Sequence, residues 1–216
     1  ECLSKRLGSL ALSAMRDDGI EPLAAVAYLA KIGTSDAVEP RASMDALIAE
    51  LDFAKIGRAP ARFDLTELAA LNAKLLHLLS YETVKPGLVA ADADLGSVFW
   101  DAVKANLARI SDAAQWKAAV VGPLAPVCEE PEFLAKAAEI LPQELGPDAW
   151  SAWTKALAGA TGRKGRALYH PLRLALTGRE HGPELAKLLP LIGRERVLRS
   201  EEHTSELQSH LNLVCR

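Results

Sequence analysis

An all-helical fold is the class this sequence predicts, on three observations. Half of the 216 residues are hydrophobic but only 5% are aromatic, and alanine and leucine, which dominate, favour helix over strand. Apolar residues recur at three- and four-residue spacing along most of the chain, with no convincing strand alternation. Prolines stand at the starts of many apolar-periodic segments and glycines at several ends, which is the ordinary punctuation of helices. The apolar content suffices for a sizeable core, so the bulk of the chain is not expected to be disordered.

The elements follow in order. Pro22 opens a helix with Leu23, Val26, Ala27 and Ala30 on one face, ending near Gly33. Ser43 caps a short helix carrying Met44, Leu47, Ile48 and Leu51. Asp64 and Glu67 have an Asp-capped version of the capping-box spacing and precede the stripe Leu65, Leu68, Leu71, Leu75 and Leu79. A helix from near Asp94 presents Val98, Phe99, Ala102, Val103, Leu107 and Ile110. Pro131 opens one with Phe133, Leu134, Ala137, Ala138 and Leu141, and Pro147 one with Trp150, Trp153 and Leu157, the Trp pair being read as core. Pro171 and Pro183 are expected to start the last two helices, with Gly178 and Gly193 as C-caps. Breakers cluster at Val84-Lys85-Pro86-Gly87 and, more weakly, over 142–147. The expected division is therefore 1–83, 84–198 with a subdivision near 146, and a tail over 199–216.

Net charge is −3, which by itself speaks against a polyanion-binding protein. The charge is unevenly spread. Residues 151–198 hold 9 Lys/Arg against 3 Asp/Glu, whereas residues 84–150 hold 5 against 10. Local charge governs docking of a nucleic acid more than the mean does. Cys2, Cys128 and Cys215 fit neither a metal knuckle nor a disulfide framework, so free thiols in a reducing cytosol are the plain reading. His77, His170 and His181 lack ligand spacing, and no metal site is expected. No apolar run approaches the length of a membrane helix. No nucleophile–base pair or carboxylate dyad stands out. The first residues, Glu1 to Arg6, carry no initiator Met or signal-peptide pattern and read as a chain entered in its middle. Residues 199–210 (RSEEHTSELQSH) resemble the conceptual translation of a sequencing-adapter oligonucleotide, so 199–216 are expected to be non-native.

Two segments carry chemistry. Leu3-Ser4-Lys5-Arg6 is a charged loop of the kind that sets cations against a nucleotide triphosphate. The basic block Arg163, Lys164, Arg166, Arg173 and Arg179 has the composition that holds single-stranded RNA, arginine serving as stacking plane and as bidentate donor. In Leu3 to Arg6 the chain resembles the KMSKS-type signature of bacterial glutamyl-tRNA synthetases, with Cys2 where that signature has its first lysine. The resemblance continues through Gly8, Arg16 to Gly19, Ile20-Glu21-Pro22, Leu51-Asp52-Phe53, the run Gly57 to Asp64, and Leu71-Asn72. It resumes at Thr161-Gly162-Arg163-Lys164-Gly165-Arg166-Ala167-Leu168, His170-Pro171-Leu172-Arg173, Leu176-Thr177-Gly178, Gly182-Pro183 and 191–196.

This family resemblance covers residues 3 to about 198. It implies a stem-contact domain over 1–83 and a helical anticodon-binding region over 84–198, forming the C-terminal part of a ligase that joins glutamate to tRNA at the expense of ATP, with Mg2+ in the intact enzyme. Lys5 is carried over as an ATP contact, and Arg163, Lys164, Arg166, Arg173 and Arg179 as tRNA contacts. Arg173 has a second reading as a structural anchor. No catalytic residue falls in this stretch, and the stretch alone is expected to be inactive. The implied partner is glutamate tRNA, with glutamine tRNA left open and DNA and membrane excluded; the implied state is a cytoplasmic monomer. The rival reading is a freestanding helical scaffold that binds another protein.

Overall fold

The computed structural model describes residues 11–58, 60–122 and 129–198, and the chain divides into two compact units at 113/114. Both units are helical. The described residues form no strand, only a single antiparallel bridge between Thr34 and Ile56. The expected triphosphate loop at Leu3–Arg6 and the tail at 199–216 lie outside the described residues.

In the first unit the helices are α1 (Leu12–Asp17), α2 (Pro22–Lys31), α3 (Met44–Glu50), α4 (Leu65–Leu78), α5 (Tyr81–Ala90) and α6 (Ser97–Val103). The leucine stripe of α4 forms its buried face through Leu68, Leu71 and Leu75, with Leu79 buried just beyond the helix. α2 packs on α4, but not by the expected face. Ala24, Ala25, Ala27 and Tyr28 point inward, while Val26 is 37% exposed. The Tyr28 ring packs beside the start of α4, where it meets the Phe63 ring edge-on at 5.0 Å.

Tyr28 completes the N-terminus of α4 in a way the capping-box pattern does not anticipate. Asp64 accepts from the backbone N–H groups of Thr66 and Glu67 at 2.8 and 3.4 Å. The reciprocal half of the box passes through Tyr28: its hydroxyl accepts from the Asp64 N–H at 2.9 Å and donates to Glu67 Oε2 at 3.0 Å. Asn72, fully buried on the same helix, accepts from the Glu21 N–H at 2.8 Å and donates to the carbonyls of Gly19 and Ala108. Two loops distant in sequence are thereby tied to one side chain.

Three further expectations need correction. The breaker cluster Val84–Gly87 lies inside α5, and the compact units part some thirty residues later. Pro86 removes one helical hydrogen bond, which an exposed surface tolerates. α6 stops at Val103 and a 3-10 turn follows over Lys104–Asn106, so Leu107 and Ile110 join the core from outside the helix, and Val98 is 67% exposed. Ser43 caps α3 by accepting from the Ala46 N–H, but only Leu47 of its stripe is buried; Met44, Ile48 and Leu51 are exposed.

The second unit contains α7 (Ala113–Val121), α8 (Pro131–Glu139), α9 (Ala149–Thr161), α10 (Arg166–Thr177) and α11 (Leu185–Ile192). α9 is the hub, touching α8, α10 and α11. Trp153 is buried and its indole N–H donates to the Ala137 carbonyl at 2.8 Å, which locks α9 to α8. α10 begins at Arg166, a turn and a half before Pro171, which sits inside it; Gly178 ends it in the left-handed conformation at φ 65°. α11 begins at Leu185, two residues after Pro183, and Gly193 follows its last residue.

Candidate nucleic-acid interface

The basic block is built by the α9–α10 junction and the two ends of α10. α9 ends at Thr161, Gly162 turns the chain at φ 70°, and only residues 162–165 separate the two helices. Arg163 and Lys164 occupy that turn and Arg166 is the first residue of α10. Arg166, Tyr169, His170 and Arg173 then recur at helical spacing along one face, and Arg179 follows the Gly178 cap.

The five cations fall into two groups. Arg163 and Arg173 are held by the fold. The Arg163 guanidinium lies 4.3 Å over the Phe133 ring and is paired with Glu130. Its Nη1 also donates to the Ala167 carbonyl at 3.4 Å. That carbonyl lacks its helical donor because Pro171, four residues on, has no N–H. Arg173 donates through Nη1 and Nη2 to the Pro183 carbonyl at 3.1 and 3.2 Å, which fixes the turn between α10 and α11. Burial pushes its guanidinium below the ordinary value, and arginine remains cationic throughout the working range. The anchoring reading of Arg173 is therefore the one with geometry behind it. Arg179 is intermediate, with its guanidinium 5.5 Å over the Trp116 ring. Lys164 and Arg166 are exposed and make no ion pair among the described residues.

Two clefts open beside these residues. One, of about 250 Å³, is lined on the α9 side by Ser151, Thr154, Lys155 and Ala158 and on the other by Arg163 to Gly165, Leu168 and Tyr169. The second, of about 330 Å³, lies between Arg166, Tyr169, His170, Arg173, Glu180 and His181. The Nε2 of His170 is buried and has no hydrogen-bond partner among the described residues. Tyr169 borders both clefts, 45% exposed, with its ring 6.2 Å from that of Trp150. Sequence reasoning missed Tyr169 and Lys155. An aromatic or a lysine on an amphipathic helix is most often core or solvated face, and only the α9–α10 packing brings these two to one opening. Among the described residues no group of three or more His, Cys, Asp or Glu side chains is placed to hold a metal ion, and no helix is long and apolar enough to cross a membrane.

Comparison with known proteins bears directly on this face. Residues 127–200, which include the whole basic block, match the anticodon-binding-domain family. Over 91% of its length the chain is 51% identical to glutamate–tRNA ligase 1 of Maricaulis maris, and over 90% it is 54% identical to glutamate–tRNA ligase 1 of Parvibaculum lavamentivorans. The chain is a homologue of the glutamate–tRNA ligases. It spans 45% and 44% of the length of those two relatives and corresponds to a C-terminal part of the ligase. The fold agrees: the glutamate–tRNA synthetase of Elizabethkingia anophelis matches with a TM-score of 0.68 at 23% identity, covering 93% of this chain and 44% of its own. A glutamate–tRNA ligase of Elizabethkingia meningosepticum, solved in complex with its amino acid, matches with a TM-score of 0.71 at the same identity, covering 94% of this chain and 44% of its own. Within the ligase homology, the anticodon-binding match places the two clefts and the free cations in one domain.

Proposed function

We propose that this chain is the tRNA-binding part of a cytoplasmic glutamate–tRNA ligase, which activates glutamate with ATP and Mg2+ and transfers it to glutamate tRNA for protein synthesis. The homology over nine-tenths of the chain, at about half identity, carries the reading. In it, the helices of the first unit contact the tRNA stem and the α9–α11 region meets the anticodon loop. Lys5, in the loop Leu3-Ser4-Lys5-Arg6, sets its ammonium against the ATP phosphates. Lys164 and Arg166 neutralise RNA phosphates, and Arg179 adds a third cation beside them. Arg163 and Arg173 shape the surface rather than reach far from it, since both guanidinium groups already have partners in the fold.

The test is equilibrium binding of glutamate tRNA to the full chain as salt is raised, with glutamine tRNA in parallel. A ligand held through phosphates loses affinity steeply, because each displaced counterion adds to the slope of log K against log salt. A steep negative slope is expected. Salt-independent binding, or none at low salt, would instead favour an apolar protein-binding scaffold.

A further inference from the structure

The cleft between α9 and α10 differs from its neighbour in a way that selects a ligand. Ser151, Thr154, Lys155 and Ala158 stand at helical spacing on one face of α9, and that face forms its wall. Ala158 and the buried Leu168 give it an apolar floor. Lys155 and Lys164 line it and stand exposed, and among the described residues neither has an ion pair and no carboxylate lines the cleft. The cleft on the far side of Tyr169, by contrast, holds Glu180. The Thr154 hydroxyl is spent within the helix, donating to the Trp150 carbonyl at 2.8 Å, and the Ser151 hydroxyl remains at the opening. The Tyr169 ring lies 6.2 Å from that of Trp150, with 33° between the planes, while 45% of the residue faces solvent.

A half-exposed aromatic ring, the apolar side chains of Ala158 and Leu168 and two unpaired lysines make a site for one flat, anionic unit. On the reading above as a tRNA-binding chain, we infer that this cleft is a nucleotide subsite in which an unpaired loop base stacks on Tyr169 while Lys155 and Lys164 hold the adjoining phosphates. The recognition is sequence-tolerant: every base offers a π-face, and the opening presents few groups that read base edges. The subsite therefore contributes affinity and loop geometry, whatever the neighbouring cleft reads.

The experiment uses the full chain and synthetic anticodon stem-loop RNA in which the fluorescent base 2-aminopurine replaces each loop base in turn. Wild type is expected to quench the analogue at one or more positions, as stacking does. Tyr169→Leu keeps the bulk without the ring. It should abolish quenching at one position and weaken binding about tenfold, within the range that stacking of one base supplies. Tyr169→Phe should behave as wild type. The double variant Lys155→Ala/Lys164→Ala should lower the slope of log K against log salt by about 1.4 for a single-stranded contact, with its circular dichroism unchanged. If wild type binds the RNA but folded Tyr169→Leu keeps both quenching and affinity, the subsite is wrong and the tRNA reading stands. If wild type does not bind the RNA at low salt, both fall.

Discussion

Arginines that look equivalent along the chain are not equivalent in space. Arg163 stacks on Phe133, pairs with Glu130 and serves the carbonyl that Pro171 leaves without a donor; Lys164, its neighbour, touches none of these. Arg163→Ala is therefore expected to cost about 1–2 kcal/mol in unfolding free energy, from a lost cation–π contact and a lost charge-assisted hydrogen bond. Lys164→Ala should leave stability within about 0.5 kcal/mol while reducing the salt slope of RNA binding. Thermal unfolding and salt titration on the two variants decide the matter, and a reversed pattern would make Arg163 the RNA contact. Tyr28→Phe is an equally local change. It strips the hydroxyl that accepts from the Asp64 N–H and donates to Glu67, and stability should fall by about 0.5–1.5 kcal/mol, the net worth of a part-buried hydrogen bond. Sequence supplied the block of cations but not this sorting, which depends on what lies within a few ångström of each guanidinium.

Helix ends carry charge that responds to pH. The carboxyl of Asp64 is held below its ordinary range, first by the Thr66 N–H and then by the Glu67 N–H. A carboxyl lowered on folding contributes fully above the ordinary carboxylate range, and that contribution is lost as pH falls through the lowered value. Asp64→Asn still caps the helix without titrating, so its unfolding temperature should vary less between neutral pH and about pH 3 than that of wild type; identical acid limbs would contradict the assignment. Two glycines of the second unit make a sharper contrast. At Gly162 an added Cβ meets nothing within 4 Å, and only the left-handed backbone at φ 70° opposes it. Gly162→Ala should cost about 1 kcal/mol. At Gly182 the same atom would lie 2.0 Å from the buried Trp116 ring. Gly182→Ala should cost at least about 3 kcal/mol, because a fixed ring rather than a flexible tip must move. Equal losses in a denaturant titration would refute the packing at Trp116. The Asp64 cap and the Gly178 cap were legible in the sequence, since both act on adjacent backbone. The start of α10 was not, because Pro171 in a helix interior reads locally as a helix start.

For the whole molecule, the −3 net charge and pI near 6.0 mislead about partners, because the positive balance sits in residues 151–198. Lysine and arginine side chains ordinarily keep their protons to about pH 10. RNA affinity at fixed salt should therefore change less than about threefold between pH 7 and 8.5, although the chain as a whole carries net negative charge there. Fluorescence anisotropy would show it, and a steep decline would tie binding to groups that titrate in that range instead. The helical class, most of the leucine and tryptophan core of α4, α8 and α9, the family resemblance and the basic block were legible in the amino-acid order, since each is written in neighbouring residues or in their succession. Tertiary structure alone decided that the chain parts near 113 rather than at Val84–Gly87, that α2 turns its alanines inward around Tyr28, and that Lys155 and Tyr169 share a cleft with Lys164. Those outcomes depend on which helix face meets which partner, and periodicity specifies that a face exists without specifying what will cover it.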